Sequence, residues 1–153
     1  MRILFVCSGN ICRSPLGAQV LHERLGPAAS VHVIESAGTI ADDGAVMDGA
    51  AAEQSARLGG HPEAHRSRYL TERIAGAADL VLTAERSHRA AVVQLAPRAA
   101  KRSFTIKQFA RVLDGLEPGD LADVQSPEAL VERVADEIDA ALTTIADALR
   151  AVS

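Results

Sequence analysis

Aromatic residues are scarce in this chain of 153 residues: it has no Trp, one Tyr (Tyr69) and three Phe. Stacking platforms for nucleic-acid bases are thereby largely excluded, and core volume has to come from Leu, Val, Ile and abundant Ala. Cysteine is also sparse. Cys7 and Cys12 allow at most one bridge, and none is needed, because a chain of this length buries about 70% of the surface it exposes when unfolded. Lysine is nearly absent: only Lys101 and Lys107 stand among 16 basic residues. The dominant Arg suits bidentate oxyanion binding, although genome composition produces the same bias. The formal net charge of −4 lacks the basic excess that phosphate-backbone binding requires, so nucleic acid is not an expected partner. No apolar run approaches the roughly 20 residues of a membrane span, and Met1–Val6 is too short for a signal peptide. The expectation is a cytoplasmic protein without membrane association, folded as a single domain over residues 1–153.

The apolar pattern alternates between short runs and helical periods. Ile3–Val6, Val31–Ile34, Asp79–Leu82 and Ser103–Ile106 read as strands. Between them, Ser14-Pro15 offers a capping hydroxyl and a proline for the first turn of a helix that Leu16, Val20, Leu21 and Leu25 carry to Gly26-Pro27. Further helices are predicted at Asp48–Leu58, Tyr69–Ile74, Glu85–Leu95 and Lys107–Leu113, with Ser36–Thr39 as a loop. From Pro127 onward, Leu130, Val134, Ile138, Leu142, Ile145 and Leu149 mark one long amphipathic closing helix. Strands alternating with helices imply an α/β fold with a four-stranded parallel twisted sheet flanked by helices on both faces. Ligands of such sheets bind beyond the strand C-termini.

The segment Cys7-Ser8-Gly9-Asn10-Ile11-Cys12-Arg13-Ser14-Pro15 lies at such a terminus, with a Cys and an Arg bracketing five residues before a helix. Backbone N–H groups at a helix N-terminus converge on an anion, and the helix dipole adds positive potential. A cysteine at the base of that loop is favoured as the thiolate, which is a nucleophile. Arg13 can clamp two oxygens of a tetrahedral oxyanion in line with the sulfur. Gly9 permits the tight turn, and Asn10 tolerates a left-handed backbone. A lone Cys7 would read as a buried inert residue, but these residue types fall in this register by chance on the order of once in a million chains.

At these residues the chain resembles the low-molecular-weight protein tyrosine phosphatases, whose signature Cys-x-Gly-Asn-x-Cys-Arg-Ser-Pro is matched completely. The resemblance extends through Ser36–Thr39, His65-Arg66-Ser67-Arg68, Leu80–Thr83 and the C-terminal helix. It implies a Rossmann-like domain of the phosphotyrosine phosphatase I type and hydrolysis of phosphomonoesters without metal or other cofactor. Cys7 would attack phosphorus, and water would hydrolyse the cysteinyl phosphate. Residues Ser8 to Ser14 would bind the phosphate, with Arg13 as clamp, Ser14 stabilising the thiolate and Asn10 bracing the loop. His65 matches a histidine that supports that Asn, although an unrelated surface His fits equally well. Cys12 matches a second cysteine that forms a reversible disulfide with the nucleophile in many members; a small filler thiol is the alternative. The implied partners are phosphorylated proteins, with phosphate or vanadate as competitive ligands.

Two stretches depart from the family pattern. Its general acid is an Asp followed by Pro, whereas here the corresponding loop reads Asp120-Leu121-Ala122-Asp123-Val124-Gln125-Ser126-Pro127. Asp123 takes the acid's place in the register that keeps the helix start, with Asp120 as the fallback. The rings that flank a phosphotyrosyl group are also missing, since Val124-Gln125-Ser126 and Ile40-Ala41-Asp42-Asp43 replace them. Ring stacking is worth about 0.5–1.5 kcal/mol per pair beyond area burial, so phosphotyrosine selectivity is weakened. Ile11 argues for it nonetheless, because members acting on phosphoarginine tend to carry Thr there. The rival readings are an arsenate reductase-like enzyme that borrows an external thiol and a catalytically weak module that binds phosphate or phosphoproteins.

Overall fold

The computed structural model describes residues 1–117, 119 and 124–136. The chain divides into two compact units, Met1–Ile106 and Lys107–Ser153. In the first, β1 (Arg2–Cys7), β2 (Val33–Gly38), β3 (Leu80–Thr83) and β4 (Ser103–Thr105) form one parallel sheet in the order β2-β1-β3-β4. The intervening helices are α1 (Arg13–Leu25), α2 (Gly49–Arg57), α3 (Glu72–Ala77) and α4 (Arg86–Leu95). The α/β class and four parallel strands are as expected.

A parallel strand covered on both faces must be apolar throughout, and β1 is buried from Ile3 to Cys7. Alternate side chains serve opposite faces. Leu4 and Val6 join Leu70, Ala75, Val81, Val92, Ala96 and Ala99 in the core shared with α3 and α4. Phe5 turns to α1, where Gly17 admits its ring: a Cβ at position 17 would lie 2.8 Å from it. Helices therefore cover both faces. With so few rings, close approach through Ala and Gly replaces side-chain volume.

Several boundaries shift for tertiary reasons. The second strand begins at Val33, after a 3₁₀ segment at Gly26–Val31, and continues through Ser36-Ala37-Gly38, which read as loop. The cause is its ladder with β1, paired from Arg2↔Val33 to Cys7↔Gly38. The helix expected over Tyr69–Ile74 starts only at Glu72, where the Thr71 hydroxyl accepts the Ile74 N–H at 3.2 Å. Tyr69 instead bridges Gly38, and Leu70 donates to the Gly38 carbonyl at 2.8 Å. The third strand is Leu80–Thr83, one residue later than read, because the Asp79 carboxylate accepts the Arg2 N–H at 2.6 Å. Ile106 leaves β4 to open α5 (Ile106–Gly115).

In the second unit, α5 covers the predicted Lys107–Leu113, and residues 127–136 are helical, with the Ser126 hydroxyl accepting the Ala129 N–H at 3.2 Å. Ile138, Leu142, Ile145 and Leu149 of the expected closing helix lie outside the described residues.

Strand order has a direct consequence for function. The chain leaves β1 towards one edge of the sheet and leaves β3 towards the other, so their C-terminal ends form the switch point where α/β sheets take ligands. Residues following Cys7 and residues following Thr83 meet there, with Val6 opposite Thr83 and the Ala84 N–H on the Val6 carbonyl at 2.9 Å. Gly38 forms part of the floor. A Cβ on it would collide with the Ser8 carbonyl and approach the Asn10 nitrogen to 2.9 Å. Gly38→Ala is expected to cost about 1–3 kcal/mol through such overpacking and, by displacing the loop, to weaken phosphate binding. Thermal denaturation together with inhibition by inorganic phosphate checks both effects.

Candidate active site

Beyond Cys7 the chain curls through residues 8–12 into α1. The curl is held from outside by its carbonyls. Those of Cys7 and Ser8 accept from the Thr39 and Ile40 N–H groups at 3.0 Å, and that of Ile11 accepts from Asp48 at 2.8 Å. The Asn10 carbonyl accepts from His65 Nε2 at 2.6 Å, and that of Cys12 accepts from Leu16 at 3.1 Å. The loop leads directly into the 13-residue helix α1, and backbone N–H groups gathered at such a helix start suit an anion.

Asn10 makes the curl possible. It has φ 54°, the only left-handed value among the described non-glycine residues, and it is fully buried. Gly9, by contrast, is not among the residues with positive φ, and a Cβ there would meet only an ordinary contact with Ile11. The left-handed backbone expected of Asn10 is thus present, and the chain bends at Gly9 without a positive φ.

The Asn10 amide also sets a direction. Its Oδ1 accepts the Arg68 backbone N–H at 2.9 Å, which orients Nδ2 to donate to Ser14 Oγ at 2.8 Å. Ser14 Oγ lies 2.9 Å from Cys7 Sγ, and its own proton is available to the sulfur. The result is a sequence of donors from Arg68 through Asn10 and Ser14 to Cys7, suited to a sulfur that carries negative charge. Ser14 does not cap α1 as expected. The helix begins at Arg13, with Cys12 as the flanking residue and no side-chain cap, because the Ser14 hydroxyl is committed to this network.

His65 faces this assembly from a separate segment. Burial holds its imidazole below the ordinary histidine range, despite the opposing bond to the Asn10 carbonyl, so Nε2–H is the donor. The thiol of Cys12 is pushed up by partial burial and by the carboxylate of Asp48, which caps α2 and to which it is hydrogen-bonded. Both cysteines are free thiols.

Three further participants escaped the reading of the sequence. Arg68 contributes its backbone. Glu85 holds Arg13 at the mouth, Oε1 to Nη1 3.0 Å. His88 reaches Ser8, Nε2 to Oγ 2.9 Å. Glu85-x-x-His88 at a helix start does carry a capping pattern, but only the adjacency of β1 and β3 connects it to the loop. Asp123 and Asp120, the candidate acids, lie outside the described residues.

Around the loop the exposed apolar residues are aliphatic, Ile40 and Val46. Tyr69 is half exposed, and its backbone N–H donates to Asp43 Oδ1 at 2.7 Å. The expectation that residues 40–43 carry no aromatic stands, while a distant segment brings Tyr69 beside them.

Comparison with known proteins agrees with this geometry. The family described as low molecular weight phosphotyrosine protein phosphatase matches residues 2–152. A protein-arginine-phosphatase from Geobacillus stearothermophilus is 35% identical over 97% of this chain and 96% of its own length. Low molecular weight protein-tyrosine phosphatase A from Mycobacterium tuberculosis is 35% identical over 86% of this chain and 85% of its own. Among solved structures, a mutant YwlE arginine phosphatase with a phosphorylated active-site serine superimposes with a TM-score of 0.67, at 26% identity, over 98% of this chain and 96% of that one. The chain belongs to the low molecular weight phosphotyrosine protein phosphatase family. It is a phosphatase, a hydrolase of the class that acts on phosphoproteins.

Asn10→Ala tests the brace. It leaves the Arg68 N–H and the Ser14 hydroxyl without their partner and puts alanine at a left-handed φ. At about 1–3 kcal/mol per unsatisfied buried group, the expected loss is about 3 kcal/mol. Thermal unfolding should read this as a fall of about 6–12 °C.

Proposed function

We propose that the chain is a cytoplasmic phosphotyrosine-protein phosphatase, a single domain over residues 1–153, that works through a cysteinyl phosphate on Cys7. The observation that carries this is the directed series of hydrogen bonds ending on the Cys7 sulfur at the floor of an amide-lined loop. In the first step Sγ attacks phosphorus in line with the leaving oxygen, while the amides of residues 8–13 and the Arg13 guanidinium hold the equatorial oxygens, where charge develops. Asp123 donates a proton to the departing oxygen. Water then attacks the cysteinyl phosphate, giving its proton to the Asp123 carboxylate, and releases phosphate and the thiolate. Glu85 keeps Arg13 poised at the mouth between turnovers. His65 and Asn10 support the loop.

Cys12 serves as a resolving thiol. Burial and Asp48 keep the Cys12 thiol protonated, so peroxide reacts first at Cys7, giving the sulfenic acid and one water as the O–O bond breaks; condensation of that sulfenic acid with the Cys12 thiol releases a second water and forms the disulfide. Phosphate and vanadate act as competitive ligands. Among the described residues no helix is long and apolar enough to cross a membrane, in keeping with a substrate met away from the bilayer.

A second substrate reading has its own support: the relative matched over 97% of this chain is named a protein-arginine-phosphatase. The presence of Ile11 and the half-exposed Tyr69 beside the loop favour tyrosine. Comparing kcat/KM on phosphotyrosyl and phosphoarginyl peptides decides between them, and a preference for the latter overturns the tyrosine assignment.

Cys7→Ser is expected to abolish turnover with the fold retained, because an alcohol oxygen is a far weaker nucleophile than sulfur and a poorer leaving group from the covalent intermediate. Arg13→Lys should lose about 10²–10³-fold in kcat, a point charge being unable to reproduce the planar fork. Full activity in either variant refutes the mechanism.

The acid is tested by leaving-group dependence. Asp123→Asn should slow tyrosyl phosphate hydrolysis by about 10²-fold or more, with a much smaller loss on p-nitrophenyl phosphate, whose phenolate departs unaided. Asp120→Asn should be mild on both. If Asp120 shows the dependence instead, the register of that loop is wrong. If neither does, a weakly catalytic phosphate-binding module gains.

A further inference from the structure

The first turn of α4 is capped in an uncommon way. Glu85 flanks the helix and accepts the His88 N–H, while the His88 side chain accepts the Glu85 N–H through Nδ1 at 3.1 Å. A glutamine or glutamate at position 88 would complete such a box equally well. An imidazole adds a second nitrogen on the opposite edge of a rigid ring, and here that nitrogen, Nε2, lies 2.9 Å from Ser8 Oγ.

The proton positions follow from the partners. A backbone N–H can only donate, so Nδ1 is the acceptor and the ring proton of the neutral imidazole sits on Nε2, donating to Ser8. The ring is neutral because burial holds His88 below the ordinary histidine range, as does the nearby charge of Arg13, against the opposing effect of Glu85. Ser8 Oγ therefore accepts from His88 and keeps its own proton for another acceptor. Ser8 immediately follows Cys7, and its carbonyl is tied to the Ile40 N–H at 3.0 Å. Its backbone is thus fixed, and His88 selects where the hydroxyl points. The same turn holds Arg13 through Glu85, so both ends of the loop are anchored on one helix start.

We propose that His88 is a positioning residue of the phosphate loop, its ring oriented by the Glu85 N–H so that the Ser8 hydroxyl is presented as a donor to an oxygen of the phosphoryl ester bound over Cys7. This rests on the reading of residues 7–13 as the substrate loop.

Two isosteric replacements separate positioning from helix capping. In His88→Asn, Oδ1 takes the place of Nδ1 and keeps the Glu85 N–H, but the side chain falls short of Ser8. In His88→Gln, the amide nitrogen takes the place of Nε2 and regains Ser8. With p-nitrophenyl phosphate as substrate, Ser8→Ala and His88→Asn should each lower kcat/KM by about fivefold to tenfold, the usual effect of one hydrogen bond. The double variant should lose no more than either single one, His88→Gln should recover most of the loss, and the melting temperature of His88→Asn should stay near that of the parent. Vanadate affinity should follow the same ratios, so the comparison is read from binding as well as from turnover. Absence of turnover in the parent with vanadate binding intact would strike the phosphatase reading, while the binding ratios would still decide the role of His88. Parent-like affinity and turnover in His88→Asn, multiplicative losses in the double variant, or no recovery in His88→Gln would each overturn the proposal.

Discussion

A buried sulfur that is to carry charge needs donors aimed at it before any substrate arrives, and most of the described structure around Cys7 serves that need. The Arg68 N–H orients the Asn10 amide, the amide orients Ser14, and Ser14 meets the sulfur. Asparagine suits the central position because its side chain accepts at one atom and donates at the next, and because it tolerates the left-handed backbone that bends the loop. Each link is buried or partly so, and breaking one strands a polar group at about 1–3 kcal/mol. The hydrogen bonds that hold residues 7–14 are therefore made within the protein itself, which is what preorganised electrostatic stabilisation requires.

That preorganisation is distributed over segments far apart in sequence. Thr39 and Ile40 tie the loop from the end of β2, Asp48 from the cap of α2, and His65 and Arg68 from the extended stretch before α3. The parallel pairing of β1 with β2 and β3 makes this possible, since it brings three strand ends to one place. The same pairing puts the start of α4 beside the loop, where Glu85 and His88 engage Arg13 and Ser8. A core built from Ala and Gly as much as from larger residues lets α1 approach the sheet closely enough for its N-terminus to close the site.

The rim departs from the floor in character. The floor is polar and directional, whereas the exposed apolar side chains that follow β2, Ile40 and Val46, are aliphatic and stand among charged neighbours such as Asp42 and Asp43. Tyr69, half exposed, comes from another segment and is tied to residues 38–43 through its backbone.

Much of this was legible from residues alone where the determinants are local. The apolar run before Cys7, the Cys-to-Arg spacing, the Asn at the bend and the aspartate capping α2 each act within a few positions, so the α/β class, the loop and the family resemblance could be read directly. The extent of strand β2 could not be read from its own composition: Val31–Ile34 marks a strand, but Ser36-Ala37-Gly38 joins it only through the ladder with β1. Nor could the task of Ser14, which reads as a helix cap and instead faces the sulfur. Glu85 and His88 carry no local mark of the site, and the Arg68 backbone none beyond the family resemblance of its segment. Their roles arise from strand order and from hydrogen bonds spanning more than fifty residues, and pairings at that separation depend on how the sheet is assembled rather than on any short stretch of chain.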